Sequence, residues 1–199
     1  SKTSFAIVID SKSYEKAKAS VDSYRKAVEK DGLGTYILSD DWQSAQEIRN
    51  MLEELYRQKK SPLEGAVFIG DIPIPMVRDA QFLSSAFKMD QRMDWKRSSV
   101  PSDRYYDDFD LKFDFLKRDE QKPLYFYFSL ATESAQAIRS DIYSARIKPV
   151  VKPGTDKYVL LTKYLDKVVK AHKEENPVNS LTMMRARPHE LLPGTLRVI

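Results

Sequence analysis

The sequence predicts a three-layer α/β fold with a parallel βαβαβ core and an inserted β-hairpin. Short apolar runs alternate with amphipathic helical stripes through roughly the first 70 residues, which is the pattern of a parallel sheet covered by helices. A pair of alternating aromatic runs follows, separated by a polar turn. The hydrophobic fraction of 42% and the charged fraction of 31% are typical of a chain that folds around a core.

The first strand is predicted from a continuous apolar run, and the helix after it from a periodic apolar stripe. Phe5 to Ile9 is continuously apolar, as in a strand buried on both faces. Gly32 is predicted to cap the helix that follows, and Thr35 to Leu38 is a second short strand. The apolar stripe of this helix consists of Tyr14, Ala17, Val21, Tyr24 and Val28.

The second helix and the third strand complete the core. Asp41 is predicted to cap the helix, and Ser61-Pro62 ends it. Gly65 to Ile69 is the third strand, which ends at Gly70-Asp71. Right-handed crossovers would place the first strand between the other two. The stripe of the second helix consists of Trp42, Ala45, Ile48, Leu52 and Leu55.

An insertion and a hairpin separate this core from the last strand. The prolines after Asp71 argue against a central strand, so residues 76–100 are predicted to be an insertion with at most one short helix. Residues 109–130 are predicted to form a β-hairpin with its turn at Lys117 to Lys122. The alternating apolar residues of its two arms are Leu111, Phe113 and Phe115, then Phe126, Phe128 and Leu130.

The remaining chain completes one domain over residues 1–175. Ile142 to Ile147 is predicted to be another core strand, and a long helix begins near Thr155. Its stripe consists of Tyr158, Leu161, Leu165 and Val168. His172 lies in its last turn, where a structural role is expected, and His189 is expected to be exposed. Residues 176–199 are interpreted as a tail or the start of a following domain.

Composition excludes several functions. The net charge of +4 arises from 33 basic and 29 acidic residues that are intermixed, so no nucleic-acid partner is implied. No apolar run approaches the roughly 20 residues that span a bilayer, so no membrane insertion is expected. The absence of cysteine excludes a thiolate nucleophile, and no phosphate-binding or hydrolase motif is present. We therefore predict no catalytic and no cofactor-binding residue in this chain.

Carboxylates provide two hypotheses about ligands. A cluster of aspartates, with Asp71, would suit a hard cation such as Ca²⁺, although aspartates in loops more often stabilise turns and caps. The members of the cluster are Asp103, Asp107, Asp108 and Asp110. Separately, Asp10 and Asp71 follow the first and third strands, where parallel sheets bind ligands, as in a metal-dependent or phosphoacceptor domain.

Aromatic residues in the insertion and the hairpin provide an alternative function. They would present a contact surface if the chain were a stand-alone protein- or glycan-interaction module of the cell envelope. Aromatic residues in a hairpin more often belong to the core, and that alternative stays open. The contact candidates are Trp95, Tyr105, Tyr106, Tyr125 and Tyr127.

Three short motifs, in order along the chain, carry a resemblance to a known family. Gly65 to Pro73 contains a strand that ends in Gly-Asp, and Val100 to Tyr106 contains Ser-Asp-Arg-Tyr-Tyr. Tyr143 to Ile147 contains an arginine and precedes the helix from Thr155. Together they resemble the N-terminal subdomain of the gingipain-like cysteine peptidases over roughly residues 5–175.

The resemblance implies a caspase-like fold in which a second subdomain supplies the catalytic histidine and cysteine. This chain matches only the first, supporting subdomain, because it has neither the family's Gly-His-Gly segment nor a cysteine. The insertion at 76–100 and the hairpin are also longer than the family pattern requires. The resemblance thus implies a non-catalytic part of a secreted bacterial or cell-envelope protein, with a C-terminal catalytic subdomain or another protein as its partner. The parent protein would be peptidase-related.

Overall fold

The computed structural model describes residues 2–173 and shows a mixed α/β protein with two four-stranded sheets. The strands are β1 (Ser4–Asp10), β2 (Gly34–Asp40), β3 (Leu63–Ile69), β4 (Ile74–Arg78), β5 (Val100–Pro101), β6 (Phe113–Arg118), β7 (Tyr125–Leu130) and β8 (Tyr143–Ile147). The helices are α1 (Ser11–Lys30), α2 (Ala45–Arg57), α3 (Arg104–Asp107) and α4 (Lys157–Lys173).

Sheet A is entirely parallel and has the strand order β2-β1-β3-β8. The prediction that the first strand lies between the next two is confirmed, and β8 is the predicted fourth core strand. Residues Ala6 to Ile9 are fully buried because both faces of the sheet are covered.

Helices cover the two faces of sheet A according to the alternation of side chains along β1. Phe5, Ile7 and Ile9 pack with α1 and α4, whereas Ala6 and Val8 pack with α2. The predicted stripes of α1 and α2 are largely buried. In the stripe predicted for α4, Leu161 and Leu165 are buried, and Tyr158 and Val168 are partly buried. Val169, which was not predicted, is buried with them.

The helix caps agree with the sequence in one case and differ in another. Gly32 lies two residues after the end of α1 with a φ of +95°, and its N–H donates to the backbone carbonyl of Glu29, so the predicted C-terminal cap is confirmed. The prediction that Asp41 caps α2 is wrong: Ser44 caps it and forms a capping box with Glu47. Trp42 precedes the helix and donates its indole N–H to the carbonyl of Ile9 at 3.0 Å.

Sheet B has the strand order β5-β4-β7-β6 and contains the predicted hairpin, formed by β6 and β7. The prediction that the prolines after Asp71 exclude a central strand, and that residues 76–100 contain at most one short helix, is wrong: β4 lies between β5 and β7 and extends into that segment. Ile74 donates its N–H to Leu124 beside β7, at 2.7 Å. The nitrogen of Pro75 therefore points away from β7 and towards β5. Because β5 is only two residues long, the missing N–H of Pro75 interrupts no long row of hydrogen bonds.

The core between sheet A and sheet B is aromatic. Tyr105 packs between Phe113 and Phe128, with ring centroids 5.2 and 4.2 Å away, and Tyr106 packs on Phe68 at 4.7 Å. The short helix α3 is held at this interface. Segment 176–199 and His189 lie outside the described residues. Within residues 2–173, no helix combines the length and the apolar character that crossing a membrane requires.

Candidate functional site at the carboxyl end of strand β8

Arg146, on β8, is the centre of the polar cluster at the carboxyl end of sheet A. Its guanidinium donates two hydrogen bonds to the carboxylate of Asp103, at 2.7 and 3.1 Å. It donates two more to the carbonyls of Ile72 and Pro73, both at 3.1 Å, and lies over the ring of Phe68 at 5.2 Å. The planar fork of arginine suits this set of acceptors, which a lysine could not satisfy.

Asp107 forms a second contact between α3 and the same face of β8. Its carboxylate accepts hydrogen bonds from Ser144 and Arg104, both at 2.5 Å, and its side chain has no exposed surface. Burial raises the pKa of Asp107 to about 6, although the Ser144 hydroxyl and the Arg104 charge oppose that shift. The other carboxylate oxygen has no partner among the described residues.

We call Asp103, Arg104, Asp107, Ser144 and Arg146 the Arg146 cluster. Ser144 and Arg146 are two residues apart on β8 and therefore point to one face, where α3 presents its carboxylates. Tyr106 adds a hydrogen bond from its hydroxyl to the carbonyl of Pro73 at 2.9 Å. The three motifs that carry the family resemblance, separated along the chain, thus meet at one place.

Gly70 and Asp10 explain the Gly-Asp pair at the end of β3. Gly70 has a φ of +82°, and a Cβ atom there would approach the Asp10 carboxylate to 2.2 Å. Asp10 accepts from the N–H of Ser13 at 2.9 Å, which caps α1, and from the N–H of Asp71 at 2.7 Å. Both oxygens of Asp10 therefore hold backbone groups.

Asp71, the second half of the predicted carboxylate pair, faces two lysines. Lys157 lies 2.5 Å from its carboxylate and Lys148 lies 3.3 Å away. Burial by itself would raise the pKa of Asp71, but the hydrogen bond from Lys157 and the charge of Lys148 bring it below its usual value. The two carboxylates are thus bound separately, Asp10 by backbone N–H groups and Asp71 by lysines.

The predicted calcium ligands also have separate partners. Asp103 binds Arg146, Asp107 binds Arg104 and Ser144, and Asp108 accepts from the N–H of Arg139 at 2.7 Å. Asp110 is exposed. Over residues 2–173, no group of three or more histidine, cysteine, aspartate or glutamate side chains is arranged to hold a metal ion.

The aromatic contact candidates divide into core and surface. Tyr105, Tyr106 and Tyr127 are at most 2% exposed, so their prediction as surface residues is wrong and the core alternative holds for them. Tyr105 and Tyr106 are buried because sheet B packs its inner face on α2 and sheet A. Tyr127 points to the opposite face of sheet B from Phe126 and Phe128, and its hydroxyl donates to the carboxylate of Asp119 at 3.1 Å. Trp95 and Tyr125 remain half-buried, each with a lysine ammonium about 5 Å from its ring.

Arg49, on α2, is a buried arginine that the sequence patterns did not single out. It is 7% exposed and has no carboxylate within hydrogen-bonding distance. Its guanidinium donates to the backbone carbonyls of Tyr105, Asp108, Phe109 and Leu111. Burial lowers the pKa of Arg49. Its position within the apolar stripe of α2 was the only available signal in the sequence.

This arrangement positions backbone segments instead of exposing reactive groups. Arg146 holds the loop after β3, Asp107 holds β8, and Arg49 holds the segment after α3.

Comparison of the chain with protein families, with curated proteins and with solved structures finds no match. The chain is an α/β protein with one parallel and one mixed sheet.

Proposed function

We propose that this chain is the supporting, non-catalytic N-terminal subdomain of a secreted bacterial gingipain-like protein, with the layering of the caspase-like fold. One observation carries the proposal: the three family-like motifs converge on Arg146, although Asp103 and Arg146 are 43 residues apart. Residues that meet through the fold form one structural unit, and a chance match of short motifs would not require them to meet.

The chemistry of the cluster favours a supporting role. Both oxygens of Asp103, one oxygen of Asp107 and the guanidinium of Arg146 have partners within the chain. A general acid or nucleophile needs a side chain that a substrate can reach, and Asp107 is completely buried. We expect these residues to hold the carboxyl end of sheet A in the conformation against which a neighbouring subdomain packs.

The first test is the coding sequence of the parent protein. We expect it to continue into a region that supplies a histidine and a cysteine with the family's spacing. A parent protein without both residues would contradict the peptidase-related assignment.

The second test measures the supporting role in that parent protein. Arg146→Met is expected to lower hydrolysis of a fluorogenic peptide at least tenfold, because the edge that supports the catalytic subdomain loses its anchor. Arg92→Met is the matched control, since the side chain of Arg92 is 91% exposed and its partner among the described residues is Asp90, two positions earlier. Thermal denaturation would first establish that the Arg146→Met protein is folded. Full activity of that folded variant would refute the proposed role.

A second candidate function rests on Trp95. This residue lines a shallow groove of about 380 Å³ with Asp94, Lys96 and Lys117, on the side of the molecule formed by sheet B. An aromatic ring beside lysines suits a protein or glycan ligand of the cell envelope. If the alternative is right, Trp95→Ala will weaken retention on immobilised envelope glycan and leave thermal stability unchanged. Equal retention of both proteins would reject it.

A further inference from the structure

Strand β8 has a backbone edge with no partner among the described residues. It is the outer strand of sheet A, bonded on one side to β3. Unpaired N–H and C=O groups along an edge form a template for another extended chain. Tyr143, at the start of this strand, is 53% exposed.

An apolar groove runs beside this edge. It has a volume of about 420 Å³ and lies between the end of β8 and α4. Val150 and Tyr164 in its wall are 83% and 49% exposed. Large apolar side chains exposed together beside an open strand mark a site of protein interaction. The remaining lining residues are Arg146, Ile147, Lys148, Pro149 and Leu160.

The charge around the groove is strongly positive. Between Lys148 and Lys173 the chain has seven lysines and two aspartates, Asp156 and Asp166. Two of these lysines, Lys148 and Lys157, share the single carboxylate of Asp71, so the excess of positive charge remains. Lys163 and Lys167 follow Leu160 and Tyr164 by three residues, so each lies beside a groove residue on α4. Both are exposed, and neither pairs with an acidic residue of the described chain. A second copy of this face would be repelled, whereas an acidic partner would be attracted.

The handedness of the fold argues against this protein's own next strand as the occupant. Helix α4 lies on the same face of sheet A as α1, which connects β1 to β2 in the direction away from β8. A right-handed crossover through α4 would therefore lead from β8 back towards β3, and reaching the outer edge would require the rare left-handed connection.

We propose that the β8 edge and the groove beside it bind an extended acidic segment of a partner protein, which adds to sheet A as a further strand. The backbone of the segment pairs with β8, its apolar side chains lie on Leu160 and Tyr164, and its carboxylates face Lys148, Lys163 and Lys167. This site goes beyond the proposed function and does not depend on the family assignment.

The test uses the full chain, labelled with ¹⁵N, and a capped eight-residue peptide in which glutamate and valine alternate. We expect the backbone amides of β8 to shift and to exchange with solvent at least tenfold more slowly with peptide bound. A lysine–valine peptide and a glutamate–valine peptide N-methylated at alternate amides are the controls, and each should bind at least tenfold more weakly. The first removes charge attraction and the second removes strand pairing.

Protein variants locate the site independently. Tyr164→Glu and the double variant Lys163→Glu, Lys167→Glu change exposed side chains, so the fold should be retained, and each should weaken the glutamate–valine peptide at least tenfold. Lys26→Glu, on the exposed surface of α1, should not.

Four results would overturn the proposal. The first is the absence of any response of the β8 amides to the peptides, and the second is protection of these amides in the free chain, which would show that the edge is covered. Equal binding of the N-methylated peptide would exclude strand addition. Binding to vesicles that contain phosphatidylserine, without binding to the peptide, would assign the basic face to a membrane surface instead.

Discussion

The Arg146–Asp103 pair allows a quantitative test of how the carboxyl end of sheet A is held together. The change is a double-mutant cycle with Arg146→Met, Asp103→Asn and the combination of both. The side chains of Arg146 and Asp103 are 18% and 26% exposed, so water screens their two hydrogen bonds only in part. Methionine at 146 would also leave the carbonyls of Ile72 and Pro73 without their donors.

The magnitudes follow from these contacts. Removing one partner of a largely buried ion pair costs about 3–5 kcal/mol, so Arg146→Met should lower the free energy of unfolding by about that amount. Asp103→Asn keeps the shape and loses the charge, for about 1–2 kcal/mol. Because the two side chains are in direct contact, the coupling energy should be about 2 kcal/mol.

The assay is guanidinium unfolding followed by the fluorescence of Trp42 and Trp95. The matched control is the same cycle on Arg92 and Asp90, which lie 2.8 Å apart but on the surface. Its coupling should be indistinguishable from zero. A coupling energy for the Arg146 pair no larger than that of the control would refute the reasoning, because burial would then contribute nothing.

Three further predictions concern the rest of the cluster and its supports. The pKa of Asp107 is about 6 in the folded chain and about 3.8 in the unfolded chain, so the folded state binds more protons between those values, and this group contributes stability at low pH that is lost as pH rises. The free energy of unfolding of Asp107→Asn, measured by urea titration, should therefore rise by about 2 kcal/mol relative to that of the parent chain as the pH increases from 4 to 7. A pH-independent difference between the two chains would contradict this. Gly70→Ala should lower the free energy of unfolding by about 2–4 kcal/mol, because alanine is strained at positive φ and its Cβ displaces Asp10; Gly154→Ala, which has open space around it, controls for backbone strain alone, and equal losses would show that the close approach to Asp10 is unimportant. Arg49→Met should cost about 3–5 kcal/mol in the same assay because buried carbonyls lose their donor, and a loss below about 1 kcal/mol would show that water replaces the guanidinium.

Local patterns account for the success of the strand and helix predictions. The continuous apolar run of β1 and the stripes of α1 and α2 depend on residues a few positions apart, and the described structure confirms them. The order of the first three strands was also predictable, because the handedness of βαβ crossovers is nearly invariant. The cap of α2 was misplaced by three residues, since Asp41 and Ser44 are both suitable capping residues and only the capping box with Glu47 distinguishes them.

Sheet B could not be predicted from local patterns, because its strands are stabilised by residues distant in the chain. Strand β4 contains Pro75, which lowers its strand propensity, and it is stabilised by pairing with β7, about 50 residues later. Tyr105 and Tyr106 appear in the sequence as exposed-loop aromatics, and only the packing of sheet B against sheet A buries them. Tyr127 is buried on the other face of sheet B, where its hydroxyl donates to Asp119. Long-range pairing of this kind has no periodic signature in the sequence.

The amino-acid sequence by itself determined the class of fold, the carboxyl end of β3 at Gly70-Asp71 and, through the absence of cysteine, the lack of a thiolate nucleophile in this chain. Only the tertiary structure decided what the aspartates do. Asp10, Asp71, Asp103 and Asp107 are chemically identical in the sequence, yet they hold backbone N–H groups, lysines, an arginine and a serine, respectively. The physical reason is that a carboxylate's role depends on its burial and on the charge beside it, and both are set by residues distant in the chain.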